Sequence, residues 1–405
     1  MNAQWPAIEP SFRRGEKVES FSPRGRSEPP ELRAWRELCR RIEAVGESLV
    51  TDGFPTAAAD RAEGFAHLAE QVVCWLAWNV GHADARHPAF HRQNDLVTQW
   101  GGPNVDNAYR HARIDPGLRY RIRGRMHSCD DFILAVRAGF MHEERWGTLV
   151  EVTASEVGIG RGDEFELLLG EGGTISLPDG AAMVSIREYY FDWQADEPAT
   201  FTIECLDEHG PAPRVSGADL ATQFADAASS VEHSMRYWKD YLLAARAEGV
   251  DNTFAASRQL AKGLSLARYA FCFWQLRPDE ALVVTTDVPA ARYWSFHLYT
   301  LGWFEPIDPA GRITTRNHVQ TAVDADGRVR AIVAHRDPGG PNWIDTGGRS
   351  EGLLTLRWFW PTGERAPAPE ASVVPFSSVV EPGATADRPA ELETRRRHLA
   401  WRFRT

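Results

Sequence analysis

Apolar residues recur every three or four positions in several stretches and alternate with polar residues through most of the remainder. The helical spacing is clear at 31–49, where Leu32, Trp35, Leu38, Ile42 and Val45 share a face, and at 57–79, through Phe65, Leu68, Val72 and Trp75. It returns at 219–248, through Phe224, Val231, Met235, Trp238 and Leu242, and then predicts a second apolar helix over 254–275. A short basic helix at 391–402 closes the chain. Short alternating runs at 119–125, 148–155, 164–169, 182–190 and 200–206 are strand-like, separated by turns such as Arg161-Gly162-Asp163 and Leu177-Pro178-Asp179-Gly180. From 281 to about 360 the pattern is again β-like. Asp308-Pro309-Ala310-Gly311 and Asp324-Ala325-Asp326-Gly327 serve as turns there.

These elements imply a mainly β protein with helical embellishments (α+β), built on two β-sandwich or jelly-roll-like domains. The expected divisions are an extended or disordered arm at 1–30, helices at 31–98 and a first sandwich at 99–215. Linking helices follow at 216–278, then a second β domain at 279–385 and a C-terminal helix at 386–405. The break at Gly101-Gly102-Pro103-Asn104 marks the first change of texture.

Composition narrows the function classes. A net charge of −11 disfavours nucleic-acid binding. The alternating Arg-Tyr-Arg-Ile-Arg of 119–123 fits one face of a strand, and Arg395–Arg397 the solvated face or last turn of a helix. The five cysteines are dispersed and form no C-x-x-C pair, as expected of reduced thiols. With no apolar leader at the N-terminus and no run of 18 apolar residues, the expectation is a cytoplasmic protein without membrane contact. Fifteen tryptophans suit thick sheet cores, pockets or interfaces.

One ordered series of residues resembles a known family. It comprises Tyr293-Trp294-Ser295-Phe296-His297-Leu298-Tyr299, Arg316-Asn317-His318, Asp324-Ala325-Asp326-Gly327, the stretch from His335 to Gly348, and Glu351-Gly352 to Arg357-Trp358. It is similar to the DUF1214 family, often found with a partner domain numbered 1254, and covers about 280–360. Asn104 to Asp115, Tyr120 to Gly124 and Arg187 to Trp193 are more loosely similar to the same group. The resemblance implies β-rich sandwich domains and carries no general activity.

The loop from His335 to Gly348 is the leading candidate site, because its Gly and Pro residues fix a backbone that presents several polar groups beside one indole. His335 is the expected base, with Asp337 or Asp345 as its partner. Asn342, Trp343, Tyr293, Trp294, Asn317 and His318 complete the expected ligand-binding set. A metal reading of His318, His335 and Asp337 has no supporting spacing, so no metal is assigned. On a strand, Tyr109, His111 and Arg113 share a face that could hold an anion, and Tyr109 and Arg113 join the ligand-binding candidates. Arg187, Tyr189 and Phe191 form a similar set. No nucleophile elbow, P-loop or dinucleotide fingerprint occurs, so no cofactor is expected. The functional expectation is a cofactor-independent enzyme, of hydrolase or lyase type, acting on a small organic or carbohydrate-like molecule at the two-domain junction. The alternative is a non-catalytic binding or assembly protein, which could form homo-oligomers through sheet edges or the helices.

Overall fold

A computed structural model describes residues 28–194, 197–257, 259, 263–363, 366–381 and 387–402. Nearly all of the expected arm at 1–30 lies outside the described residues. Helix α1 (Pro30–Thr51) opens with Pro in its first turn, where the missing N–H costs nothing. Helix α2 (Ala58–Leu76) runs into one π-helical turn at Ala77–Gly81. Helix α3 (Gly217–Ala247) starts on a capping box: Ser216 Oγ accepts from the Asp219 amide at 3.1 Å, and the Asp219 carboxylate accepts from the Ser216 amide at 3.3 Å. Helix α4 (Arg388–Arg402) ends the described chain.

The first sandwich contains β1 (Asn107–Arg113), β2 (Tyr120–Arg125), β3 (Asp131–Arg137), β4 (Thr148–Thr153), β5 (Glu164–Leu169), β6 (Met183–Tyr189) and β7 (Thr200–Cys205). Its sheets run β1-β6-β3-β4 and β5-β2-β7. The second contains β8 (Thr253–Phe254), β9 (Ala267–Gln275), β10 (Glu280–Asp287), β11 (Ala291–Tyr299), β12 (Thr315–Asn317), β13 (Arg328–Ala334), β14 (Trp343–Asp345), β15 (Glu351–Pro361) and β16 (Glu370–Pro375). Its sheets run β12-β11-β15-β9-β8 and β14-β13-β10-β16.

Period-two alternation decides what each face buries. Phe132, Leu134 and Val136 of β3 join Tyr120, Ile122, Leu167, Val184 and Ile186 inside the first sandwich. Trp274, Leu282, Val284, Phe296, Val333 and Leu354 fill the second. The opposite faces of the two inner sheets meet each other, with Ile133, Ala135 and Tyr189 against Ala267, Tyr293 and Phe359. The four sheets therefore stack, and the helices cover one flank, where Trp75, Trp78 and Trp238 cluster with Trp303 of the turn after β11. Trp75 is wholly buried, and its indole N–H reaches Gln71 Oε1 at 3.1 Å and Ser234 Oγ at 2.9 Å, tying α2 to α3.

Two expectations change. The predicted helix over 254–275 is instead strands β8 and β9, so the expected linking helices reduce to α3 alone. Residues 258 and 260–262 lie outside the described set. β9 has sheet neighbours on both sides and packed layers on both faces, so its apolar run carries no alternation to announce a strand. The basic run of α4 is not wholly solvated: Arg395 is buried, stacks over Trp193 at 3.7 Å and donates to the Thr315 carbonyl at 2.6 Å. The run in β2 does form a one-face ladder. Arg121 and Arg123 pair with Glu166 and Glu204, and Arg125 with Glu164, at 2.9–3.6 Å.

Candidate functional site

In the loop from His335 to Gly348 the polar side chains pin the loop, to its own main chain and to neighbouring segments. Asn342, with φ of 59°, donates to the carbonyls of Ala322 and Arg330 and accepts from the Ala322 amide, all within 2.9 Å. Asp337 accepts from the Gly339 amide and pairs with Arg388. Burial opposes that charge, but Arg388 and the amide keep the carboxyl below its usual value. Asp345 accepts from the Gly347 amide at 2.9 Å and from Arg312 at 3.1 Å. The Trp343 indole donates to the Ala334 carbonyl, and His335 Nδ1 meets Thr346 Oγ1 at 2.9 Å rather than either aspartate. The acid–base pairing expected of His335, Asp337 and Asp345 is therefore not formed.

The remaining candidates disperse. Trp294 belongs to the core of the second sandwich. Asn317 donates to the Phe191 carbonyl and accepts from the Val319 amide. His318 packs edge-on to Phe191 and Tyr293. Arg113 donates to Asn79 Oδ1 at 2.8 Å and lies 4.6 Å over the Trp78 ring. The Tyr293 hydroxyl is buried and donates to Asp106 Oδ2 at 2.6 Å, with Ser295 Oγ at 2.8 Å and Asn104 Oδ1 at 3.0 Å. Tyr109 lines a cavity, its hydroxyl accepting from the Asn104 amide at 2.7 Å.

That cavity lies between the two sandwiches and measures about 100 Å³, several times the ~10–15 Å³ that one water needs. The first sandwich supplies Tyr109 and His111 from β1, Arg187 and Tyr189 from β6, and Arg137 from β3. The second supplies Tyr269 and Phe271 from β9 and Arg357 and Phe359 from β15. Trp100, Trp238, Phe140 and Phe304 close it from the helical flank. Register makes the set: Arg187 sits opposite Tyr109 and Ile133, and Arg357 opposite Tyr269 and Ser295. Each of these strands turns its other face into a sandwich core, so alternation alone delivers the polar residues to the junction.

The charge distribution is unbalanced. Arg137 and Arg357 are only 6% and 3% exposed, and Arg187 is half-buried. Among the described residues none of the three pairs with a carboxylate. Arg357 donates to the Gly102 carbonyl at 3.0 Å and to the Tyr299 hydroxyl, and it lies over the rings of Tyr269 and Tyr299. Arg187 lies 5.7 Å from the Tyr109 ring centre. Burial, and then the like charge of Arg187, pull Arg137 down to about 9. The same burial, with Arg137 and Arg187 nearby, pushes His111 well below its usual value, so its imidazole is neutral at pH 7. Arg137 Nε, Arg357 Nε, His111 Nδ1, Trp100 Nε1 and Trp238 Nε1 are all buried without a hydrogen-bond partner. Buried cations without acids and donors without acceptors have the chemistry of an anion-binding site.

Arg137 and Arg357 carried a sequence signal that the loop-centred reading passed over. Each lies in phase with the buried residues of a largely apolar strand, Asp131–Arg137 and Glu351–Pro361. Trp100, Trp238 and Phe304 gave none, since helices and turns bring them in from distant segments.

Comparison with one solved structure supports the fold. A crystal structure of an uncharacterized protein from Burkholderia cenocepacia superposes with a TM-score of 0.79 at 24% identity, over 85% of this chain and 97% of that one. A protein from Vibrio parahaemolyticus aligns over 76% of this chain and 98% of its own, at 11% identity and a TM-score of 0.42. No curated protein matches. Among the described residues no helix is long and apolar enough to cross a membrane. In sequence, residues 277–363, from the approach to β10 to the turn after β15, match the family model described as Protein of unknown function (DUF1214).

Proposed function

We propose that this protein binds a small organic anion, with an aromatic or other flat apolar body, in the cavity between its sandwiches. One observation carries the reading: Arg137, Arg187 and Arg357 line a largely buried, aromatic-walled cavity with no carboxylate paired to them. Burying cations costs free energy that only a counter-charge offsets, and guanidinium forks match carboxylate or phosphate oxygens. Tyr109, Tyr269, Phe271 and Phe359 offer faces and edges for the apolar part.

His111 favours a second, catalytic reading. Its imidazole is held neutral and its Nδ1 has no partner, which suits a base acting on a ligand whose negative charge the arginines hold. This keeps a cofactor-independent lyase or hydrolase within the proposal, with His111 in the place expected for His335.

Calorimetry with benzoate, phenyl phosphate and neutral benzyl alcohol tests the binding reading. The two anions should bind and the alcohol should not. Arg357→Gln should weaken binding by about tenfold to a hundredfold, the worth of one charge-assisted hydrogen bond. Equal binding of the alcohol, or an unaffected Arg357→Gln variant, would refute it.

A further inference from the structure

Outside the cavity, α2 and the turn after β11 bring three metal-ligating groups together. His67 and Glu70, three residues apart, share one helical face. Glu305 directly follows Phe304, a residue of the cavity wall. One donor atom from each of the three lies within 4.8 Å of the others, and His67 Nδ1 already contacts Glu305 Oε1. His67 is 1% exposed, and the Glu305 side chain 17%. Glu70 accepts the Gln99 amide at 2.9 Å, and its charged neighbours are Glu305, His67 and Asp95. Among the described residues no Lys or Arg pairs with Glu70 or Glu305.

We infer that His67, Glu70 and Glu305 form a binding site for a divalent transition-metal ion. Two carboxylates held together with no Lys or Arg paired to them repel each other, and a divalent cation between them would offset that. Donors about 2.1 Å from one ion stand at most about 4.2 Å apart, so closing the present 4.8 Å needs only a small shift of side chains. An imidazole beside two carboxylates suits Zn²⁺, Mn²⁺ or Fe²⁺ better than Ca²⁺ or Mg²⁺, which take oxygen donors. The partial exposure of Glu305 leaves room for water to complete the coordination. None of the three ligands lines the cavity, so the ion is structural. It would clamp α2 to two segments of the cavity wall, at Trp100 through Gln99 and at Phe304 through Glu305. The inference is independent of the anion-binding reading.

The test uses the full chain after dialysis against EDTA. Calorimetry with ZnCl2 and with MnCl2 should show one site per chain for at least one of them, with Kd at or below about 1 µM. Co²⁺ added in their place should develop ligand-field absorption that Zn²⁺ then displaces. The near-isosteric Glu70→Gln and Glu305→Gln variants, checked for folding by circular dichroism, should each bind at least about tenfold more weakly. Absence of binding by the wild type, or equal binding by both folded variants, would overturn the assignment.

Discussion

At the scale of single residues, the cavity exchanges stability for a charge-lined wall. Arg137 is buried without an acid, and in the unliganded protein that is a cost. Arg137→Met should therefore stabilise the unliganded protein by about 1–4 kcal/mol, read as a higher melting temperature, while weakening anion binding. A lower melting temperature in that variant would mean that Arg137 has a compensating partner. Gly102 is a different constraint. Its φ is +62°, and an added Cβ would fall 2.4–2.6 Å from ring carbons of Phe304. Its carbonyl also accepts from Arg357. Gly102→Ala should cost about 1–3 kcal/mol in denaturant titration and disturb the Arg357 guanidinium as well. A change inside experimental error would show that the ring moves aside freely.

At the scale of elements, α4 separates two neighbouring arginines that a sequence treats alike. Arg395 is buried against Trp193 and Thr315, whereas Arg396 is exposed and reaches the Ala310 carbonyl. Arg395→Ala should destabilise the protein by about 3 kcal/mol or more through lost packing and an orphaned carbonyl. Arg396→Ala should stay within about 0.5 kcal/mol of wild type. Equal effects in paired thermal melts would contradict the assigned burial.

The same scale explains what the pattern could and could not disclose. The β2 ladder was legible because one of its faces meets solvent, so Arg121 and Arg123 alternate with Tyr120 and Ile122. β9 was misread as helix because its layer is covered on both faces. The 335–348 loop drew attention by its polar groups, and those groups turn out to be the ties that hold it. Tyr109 and His111 were recognised as sharing a face, but nothing in β1 says which sheet will stand opposite, so the arginines of β3 and β15 could not be joined to them.

At the scale of the molecule, buried histidines set the acid limit. Burial lowers His91 to about 4 and His142 to about 3, and it holds His111, His297 and His398 well below the usual value. Each folded value lies below its unfolded one, so the unfolded chain takes up these protons first. Their contribution is whole above about pH 6.5 and shrinks as pH falls toward the folded values, by roughly 1.4 kcal/mol per histidine per pH unit. Glu70, raised to about 7 by burial and then by Glu305, opposes the trend over part of that window. Asp60, Asp130 and Glu143, raised by burial too, oppose it as well, but the imidazoles outnumber these carboxyls once His82 and His318, also lowered by burial, are counted. Melting temperatures measured from pH 7.5 to 4.5 should be level near neutrality and then drop steeply. A flat profile down to pH 5 would contradict the burial of these rings.

Of the three arginines at the junction, only Arg357 falls within the segment 277–363, while Arg137 and Arg187 come from the other sandwich. A protein sharing just that segment would bring a single positive group to the place where this chain gathers three. Kinship traced through the C-terminal region alone is therefore a poor guide to ligand preference. The inner sheet of the partner sandwich is where related chains should be compared.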